Sequence, residues 1–126
     1  MSRILLVGGN PASLSDFDWF LSRKDDITLS RAASGQEALA IIGRENVDTA
    51  VVDEKLADGD GLLFVRELMK VNPLINCALI SSLSPADFHE ATEGLGVFMQ
   101  LPANPGAEQA EKMLQLIESI EALMKF

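Results

Sequence analysis

Four short stretches carry the residues able to do chemistry. Asp53, Glu54 and Lys55 follow the apolar run Thr49–Val52, and Ser81 and Ser82 follow Ile75–Ile80. Gly8, Gly9 and Asn10 follow Arg3–Val7, and Leu101-Pro102 follows Val97–Gln100. Two carboxylates, an amine, two hydroxyls and bare backbone amides at strand ends raise phosphate binding, nucleophilic catalysis and metal ligation as options. GGNPAS is not GxGxxG, and no glycine-rich loop ends in Lys-Ser or Lys-Thr, so dinucleotide and P-loop chemistry are excluded. Neither serine sits in a GxSxG elbow. LADGDGLLFVRE imitates a calcium loop through Asp58, Asp60, Gly61 and Glu67, but Leu56 holds the first ligand position and a strand precedes it. The one histidine, His89, falls inside a helical pattern and reads as solvated surface. Gly8 and Gly9 admit two readings. Glycine suits a tight strand-to-helix turn, or the two N–H groups beside a helix N-terminus form an anion-accepting nest.

The elements that must position these groups alternate in type. Arg3–Val7, Ile27–Ala32, Thr49–Val52, Ile75–Ile80 and Val97–Gln100 read as strands. Between them run helical stripes: Leu14, Phe17, Phe20 and Leu21 after an Asn10 cap with Pro11 in the first turn, to about Ser22, then Ala38, Leu39, Ile41 and Ile42 after a Ser34–Glu37 capping box. A third helix follows the polar loop Glu54–Asp60 and stops at Asn72-Pro73. Ser84-Pro85-Ala86-Asp87 opens a fourth, ending near Gly94, and Asn104-Pro105 opens the last. In that last helix Met113, Leu114, Leu116, Ile117, Ile120, Leu123 and Met124 form a broad apolar face. Regular βα alternation with short connections requires a parallel sheet covered by helices on both faces. Ligands then bind beyond the carboxyl ends of the strands, which is where the four stretches fall.

The chain has 126 residues, 48% hydrophobic and 23% charged, which fits one domain, 1–126, with a substantial core. Net charge −9 repels phosphate backbones, so no direct nucleic-acid binding is expected. The single cysteine, Cys77, excludes an internal disulfide and fits a reducing cytoplasm. The first residues are too short an apolar run for a signal peptide, and no segment reaches the ~18–20 residues of a membrane span.

Five stretches, RILLVGGNP, AASGQEALAII, DTAVVDEKLADGDGLLFVREL, NPLINCALISS and VFMQLPANP, resemble the receiver domain of bacterial response regulators over nearly the whole chain. The third is the most specific: an aspartate ends an apolar strand, and an Asp-Gly seven residues later opens an amphipathic helix. The resemblance implies a flavodoxin-like, CheY-like (βα)5 fold with a doubly wound five-stranded parallel sheet of order 2-1-3-4-5. It implies phosphoryl acceptance on Asp53, a phosphoryl contact from Ser81, an aromatic switch at Phe98, and Mg²⁺ held partly by Asp53 and the Lys55 carbonyl. It implies no enzyme in the ordinary sense. Protein partners follow too: a histidine kinase, an effector domain, or a second copy through the fourth helix, fifth strand and last helix.

The chain departs from that pattern where charge is needed. The family's acidic pair, which completes the metal site, falls on Gly8 and Gly9, and its lysine on Leu101, which makes that wall of the pocket apolar. Mg²⁺ prefers near-octahedral hard oxygen ligands, and phosphoryl transfer depends on positioning and neutralising charge. With two carboxylates and a lysine gone, Mg²⁺ binding is expected to be weak or absent, with no other cofactor. Asp53 then serves the following turn or pairs with Lys55, Ser81 is an ordinary loop residue, and Phe98 packs the core. The reading is an atypical receiver, a pseudo-receiver, that signals by protein–protein contact. The alternative is a conventional switch phosphorylated on Asp53 by a histidine kinase. A flavodoxin-like cofactor enzyme would need a hydroxyl-rich first loop, and GGNPAS offers only Ser13. Trp19 lies about opposite the stripe of Leu14, Phe17 and Leu21, at roughly 100° per residue, and marks a partner contact.

Overall fold

A computed structural model describes residues 2–123. Alternation along each strand explains its two-sided core. In β1 (Ser2–Val7), Leu5 and Val7 point to one face of the sheet while Ile4 and Leu6 point to the other, and all four are buried. β2 (Ile27–Ala32), β3 (Thr49–Val52), β6 (Asn76–Ile80) and β7 (Val97–Leu101) complete a parallel sheet in the order β2-β1-β3-β6-β7. The short strands β4 (Lys55–Leu56) and β5 (Gly59–Asp60) form a separate hairpin. Leaving that hairpin aside, the order is the expected 2-1-3-4-5 of a flavodoxin-like α/β fold.

On one face α2 (Gly35–Arg44), α3 (Gly61–Val71) and α4 (Pro85–Thr92) bury Ala38, Ile41, Phe64, Val65, Leu68 and Phe88. On the other, α1 (Ser15–Ser22) and α5 (Ala107–Leu123) bury Phe17, Leu21, Ala110, Met113 and Ile117. Truncating one of these large side chains to alanine should cost about 2–5 kcal/mol. Cys77 lies inside, where burial pushes its thiol pKa to about 12 and leaves it unreactive.

Local chemistry sets the element ends, with some departures from expectation. Asn10 accepts from the Ala12 N–H (3.0 Å), but the turn it opens is a 3-10 segment, Pro11–Leu14, and the α-helix proper starts at Ser15. Ser34 accepts from the Glu37 N–H (3.0 Å), while Glu37 reaches back one residue beyond the cap, to the Ala33 N–H. The loop expected over 54–60 contains the β4–β5 hairpin. α5 begins at Ala107, not at Pro105, because Asn104 is left-handed (φ 51°) and the Gln109 side chain accepts from the Gly106 N–H. The apolar face of α5 divides: Met113 and Ile117 are buried, Leu114, Leu116 and Ile120 are half-buried, and Leu123 is exposed; Met124 lies outside the described residues. Among the described residues no helix is long and apolar enough to cross a membrane.

Candidate functional site

The carboxyl ends of β1 and β3 flank a shallow depression of about 520 Å³, lined by Gly9, Asn10, Asp53, Glu54, Lys55 and Asn104 among others. Asp53 is buried directly after β3, its N–H donating to the Val7 carbonyl (2.8 Å) and its Oδ1 accepting from the Glu54 N–H (2.7 Å). Of the two roles expected for it without a phosphoryl group, the turn contact is the one present. The ion pairs of the described residues join Arg31 to Asp18, Arg44 to Glu45 and Lys70 to Glu67, and Lys55 takes no part in them.

Gly8 and Gly9 are not an open nest. The Gly8 N–H donates to the Ala32 carbonyl (2.9 Å) and the Gly9 N–H to the Lys55 carbonyl (3.3 Å), so neither amide is free for an anion. A Cβ on Gly9 would lie 2.8 Å from Ala57 N and 2.9 Å from Leu56 C, so the hairpin backbone fills the space a side chain needs. Glycine here is a close-approach residue, not merely a tolerated one. A Cβ on Gly8 would stand 3.3 Å from Asp53 Cβ and Oδ2, a tight fit beside the carboxylate.

These residues do not fit Mg²⁺. Gly8 and Gly9 supply no side-chain oxygen, which leaves the Asp53 carboxylate, one oxygen of it engaged by the Glu54 N–H, and the Lys55 carbonyl as the expected ligands that remain, a poor set for an octahedral ion. No cluster of three or more His, Cys, Asp or Glu among the described residues is arranged to hold a metal ion. Leu101 requires a correction: it does not wall the depression but is fully buried in the α1–α5 core, and Ala103 and Asn104 line that side. The calcium-loop imitation is also accounted for. Asp58 accepts from Gly35 N–H (2.8 Å) and Gln36 N–H (3.1 Å) at the start of α2, and those two bonds hold its carboxyl below the usual aspartate range. Asp60 accepts from Leu62 N–H and Leu63 N–H and caps α3. Gly61 follows because a Cβ there would come within 2.0 Å of the Asp53 carbonyl oxygen.

Ser81 stands just past β6; its N–H donates to the Leu101 carbonyl (3.1 Å) and its Oγ accepts from Leu83 N–H (3.2 Å). Phe98 sits at a register irregularity of β7, where Cys77 pairs with Val97 but Ala78 pairs with Met99, and it packs half-buried on the α1–α5 core. Trp19 is 61% exposed on α1, with the Arg23 guanidinium 4.6 Å from its ring centroid. His89 is exposed on α4.

Two side chains carry contacts that sequence reasoning did not assign. Glu54 Oε2 accepts from both the N–H and the hydroxyl of Ser82, each at 2.9 Å. Gln100 Nε2 donates to the carbonyls of Ser81 (3.2 Å) and Leu83 (2.8 Å). Glu54 was visible as a strand-end acid, but no local pattern links it to a serine 28 positions on.

Comparison with known proteins agrees with this geometry. A family model described as the response regulator receiver domain matches residues 4–115. No curated protein matches the sequence significantly. Among solved structures, a CheY-like receiver domain protein from Methanospirillum hungatei JF-1 superposes with TM-score 0.81 at 21% identity, over 97% of this chain and 98% of that one. A two-component response regulator from Clostridium difficile gives 0.80 at 17% identity over 100% of both chains. A Francisella response regulator receiver domain gives 0.81 at 19% identity, over 96% and 99%. At such identities the structures speak for the fold; the family rests on the sequence model, which spans most of the chain. This protein belongs to the response regulator receiver domain family.

Proposed function

We propose that this receiver is atypical and acts by protein–protein contact, without ordinary Mg²⁺-dependent phosphorylation. The observation that carries the reading is the closure around Gly9: its N–H takes up the Lys55 carbonyl, and the backbone of Leu56 and Ala57 occupies the space of an acidic side chain. Asp53 keeps the acceptor's position, but the acidic pair that would hold the metal and the lysine after the fifth strand are replaced by Gly8, Gly9 and Leu101, which leaves Lys55 as the cation lining the depression. Asp53 and Ser81 are thereby structural residues at strand ends. Phe98 is core packing, and no enzyme activity is assigned.

Two surfaces suit partners. One is α1, where exposed Trp19 and Arg23 form a stacked aromatic–cation pair. The other is the face of α4, β7 and α5, the surface by which receivers dimerise or engage an effector. A histidine kinase, an effector domain or a second copy are the partner types considered, in a cytoplasmic two-component pathway of bacterial kind. A Mg²⁺ titration followed by backbone amide NMR tests the reading. Residues 8–10 and 53–57 should show no saturable shift at millimolar Mg²⁺; a saturable shift confined to them would overturn it.

A further inference from the structure

The segment between β6 and α4 is tied down from both sides. Every N–H from Ser81 to Leu83 has a partner: Ser81 donates to the Leu101 carbonyl, Ser82 to Glu54 Oε2, and Leu83 to Ser81 Oγ. Two carbonyls, those of Ser81 and Leu83, accept from Gln100. Ser84 then caps α4, accepting from the Asp87 N–H through its hydroxyl and from the Phe88 N–H through its carbonyl. Glu54 grips from the β3 side and Gln100 from the β7 side. A loop with most of its backbone groups satisfied has little reason to rearrange.

We infer that Glu54 is a built-in anionic anchor, whose carboxylate takes the hydroxyl and amide of Ser82 and so holds the β6–α4 loop and the start of α4 in one fixed arrangement. The chemistry is that of a charge-assisted double acceptor. A carboxylate oxygen receiving an O–H and an N–H at 2.9 Å offers the loop what a phosphoryl oxygen on the neighbouring aspartate would offer. Glu54 is the residue after Asp53, half-buried, and lines both the depression at the β1–β3 ends and a cleft of about 180 Å³ beneath the loop. The device has two halves: Glu54 supplies the negative charge from β3, and Gln100 fixes the carbonyls so that the Ser82 donors face it. In consequence the α4 surface is presented permanently. The inference rests on the function proposed above only in treating that fixed state as one that needs no phosphoryl group.

Amide hydrogen exchange resolved to single residues tests it, on the full chain and on Glu54→Ala, Glu54→Gln and Ser82→Ala. Hydrogen bonds to charged groups are among the stronger ones, so Glu54→Ala should speed exchange of the Ser82 amide, and of Leu83 beside it, by about ten-fold or more. Glu54→Gln keeps an acceptor without the charge and should fall between wild type and alanine. Ser82→Ala removes the hydroxyl but keeps the amide bond, so its increase should be the smaller. Residues of β1 and β3 serve as the internal reference for a chain that remains folded. Unchanged Ser82 and Leu83 exchange in Glu54→Ala, with the reference equally unchanged, would overturn the inference. A parallel arm adds Mg²⁺ and beryllofluoride, a phosphoryl analogue, to wild type. A rise in loop protection there would contradict the phosphorylation-independent function, while the Glu54 variants would still judge the anchor on their own.

Discussion

The strand-end residues at β1–β3 and those at β6–β7 lie side by side yet are built in opposite ways. At the first, the positions where the family carries acids are glycines; the hairpin backbone occupies the space of a side chain at Gly9, and the Asp53 and Leu14 side chains crowd that at Gly8. At the second, two long polar side chains reach in from flanking strands and satisfy the loop group by group. A binding pocket must leave donors and acceptors unspent until a ligand arrives, and a clamp must spend them. The first region has few left to offer and the second has spent most of its own. The contrast supports the proposal that the chain keeps the scaffold that displays α4 and works without the chemistry that would switch it.

The largest effect should come where backbone meets backbone. Gly61→Ala forces a Cβ toward the Asp53 carbonyl at 2.0 Å, and neither group is free to move. A loss of about 3 kcal/mol in urea unfolding is expected, at the upper end of overpacking costs; a loss under about 0.5 kcal/mol would mean that α3 does not seat on the acceptor strand as described. Gly9→Ala meets Leu56 and Ala57 at 2.8–2.9 Å and should cost less, about 1–2 kcal/mol. If that variant were as stable as wild type, the closure of the first region would be loose and the contrast would fail. Asp53→Ala should cost about 1 kcal/mol by depriving the Glu54 N–H of its acceptor, which treats the residue as part of the turn.

Trp19→Ala sharpens the comparison from the surface. An exposed side chain should change stability by no more than about 0.5 kcal/mol, while any partner that uses α1 should bind more weakly in a pull-down against the same bait. The smallest effect concerns Asp58. Its carboxyl pKa is lowered in the folded state, so its contribution is full above the unfolded aspartate pKa and is lost as pH falls through the folded value. Asp58→Asn should therefore lower stability slightly at neutral pH, converge with wild type as pH falls through the folded pKa, and so flatten the acid limb of a stability–pH profile.

Much of the fold was legible because it is written locally. Ile4-Leu5-Leu6-Val7 is apolar on both faces, as a central parallel strand must be, and Ser34 and Ser84 announce their helices by side-chain caps that form as read. What was not legible depends on contacts far apart in sequence. The sequence left a tolerant turn and an open amide nest both possible at Gly8 and Gly9, and what closes the nest are partners from Ala32 and Lys55, on other elements. Leu101 was read as a pocket wall and is core, and the register irregularity beside Phe98 could not be seen in the sequence. Glu54 and Gln100 are unremarkable polar residues until β3, β6 and β7 lie side by side.

The measurement closest to the central claim is the intact mass of the protein after incubation with acetyl phosphate, with and without Mg²⁺, beside an Asp53→Asn control. The account predicts an unmodified mass in every sample. A Mg²⁺-dependent gain of one phosphoryl group, absent from Asp53→Asn, would contradict it and restore the conventional switch.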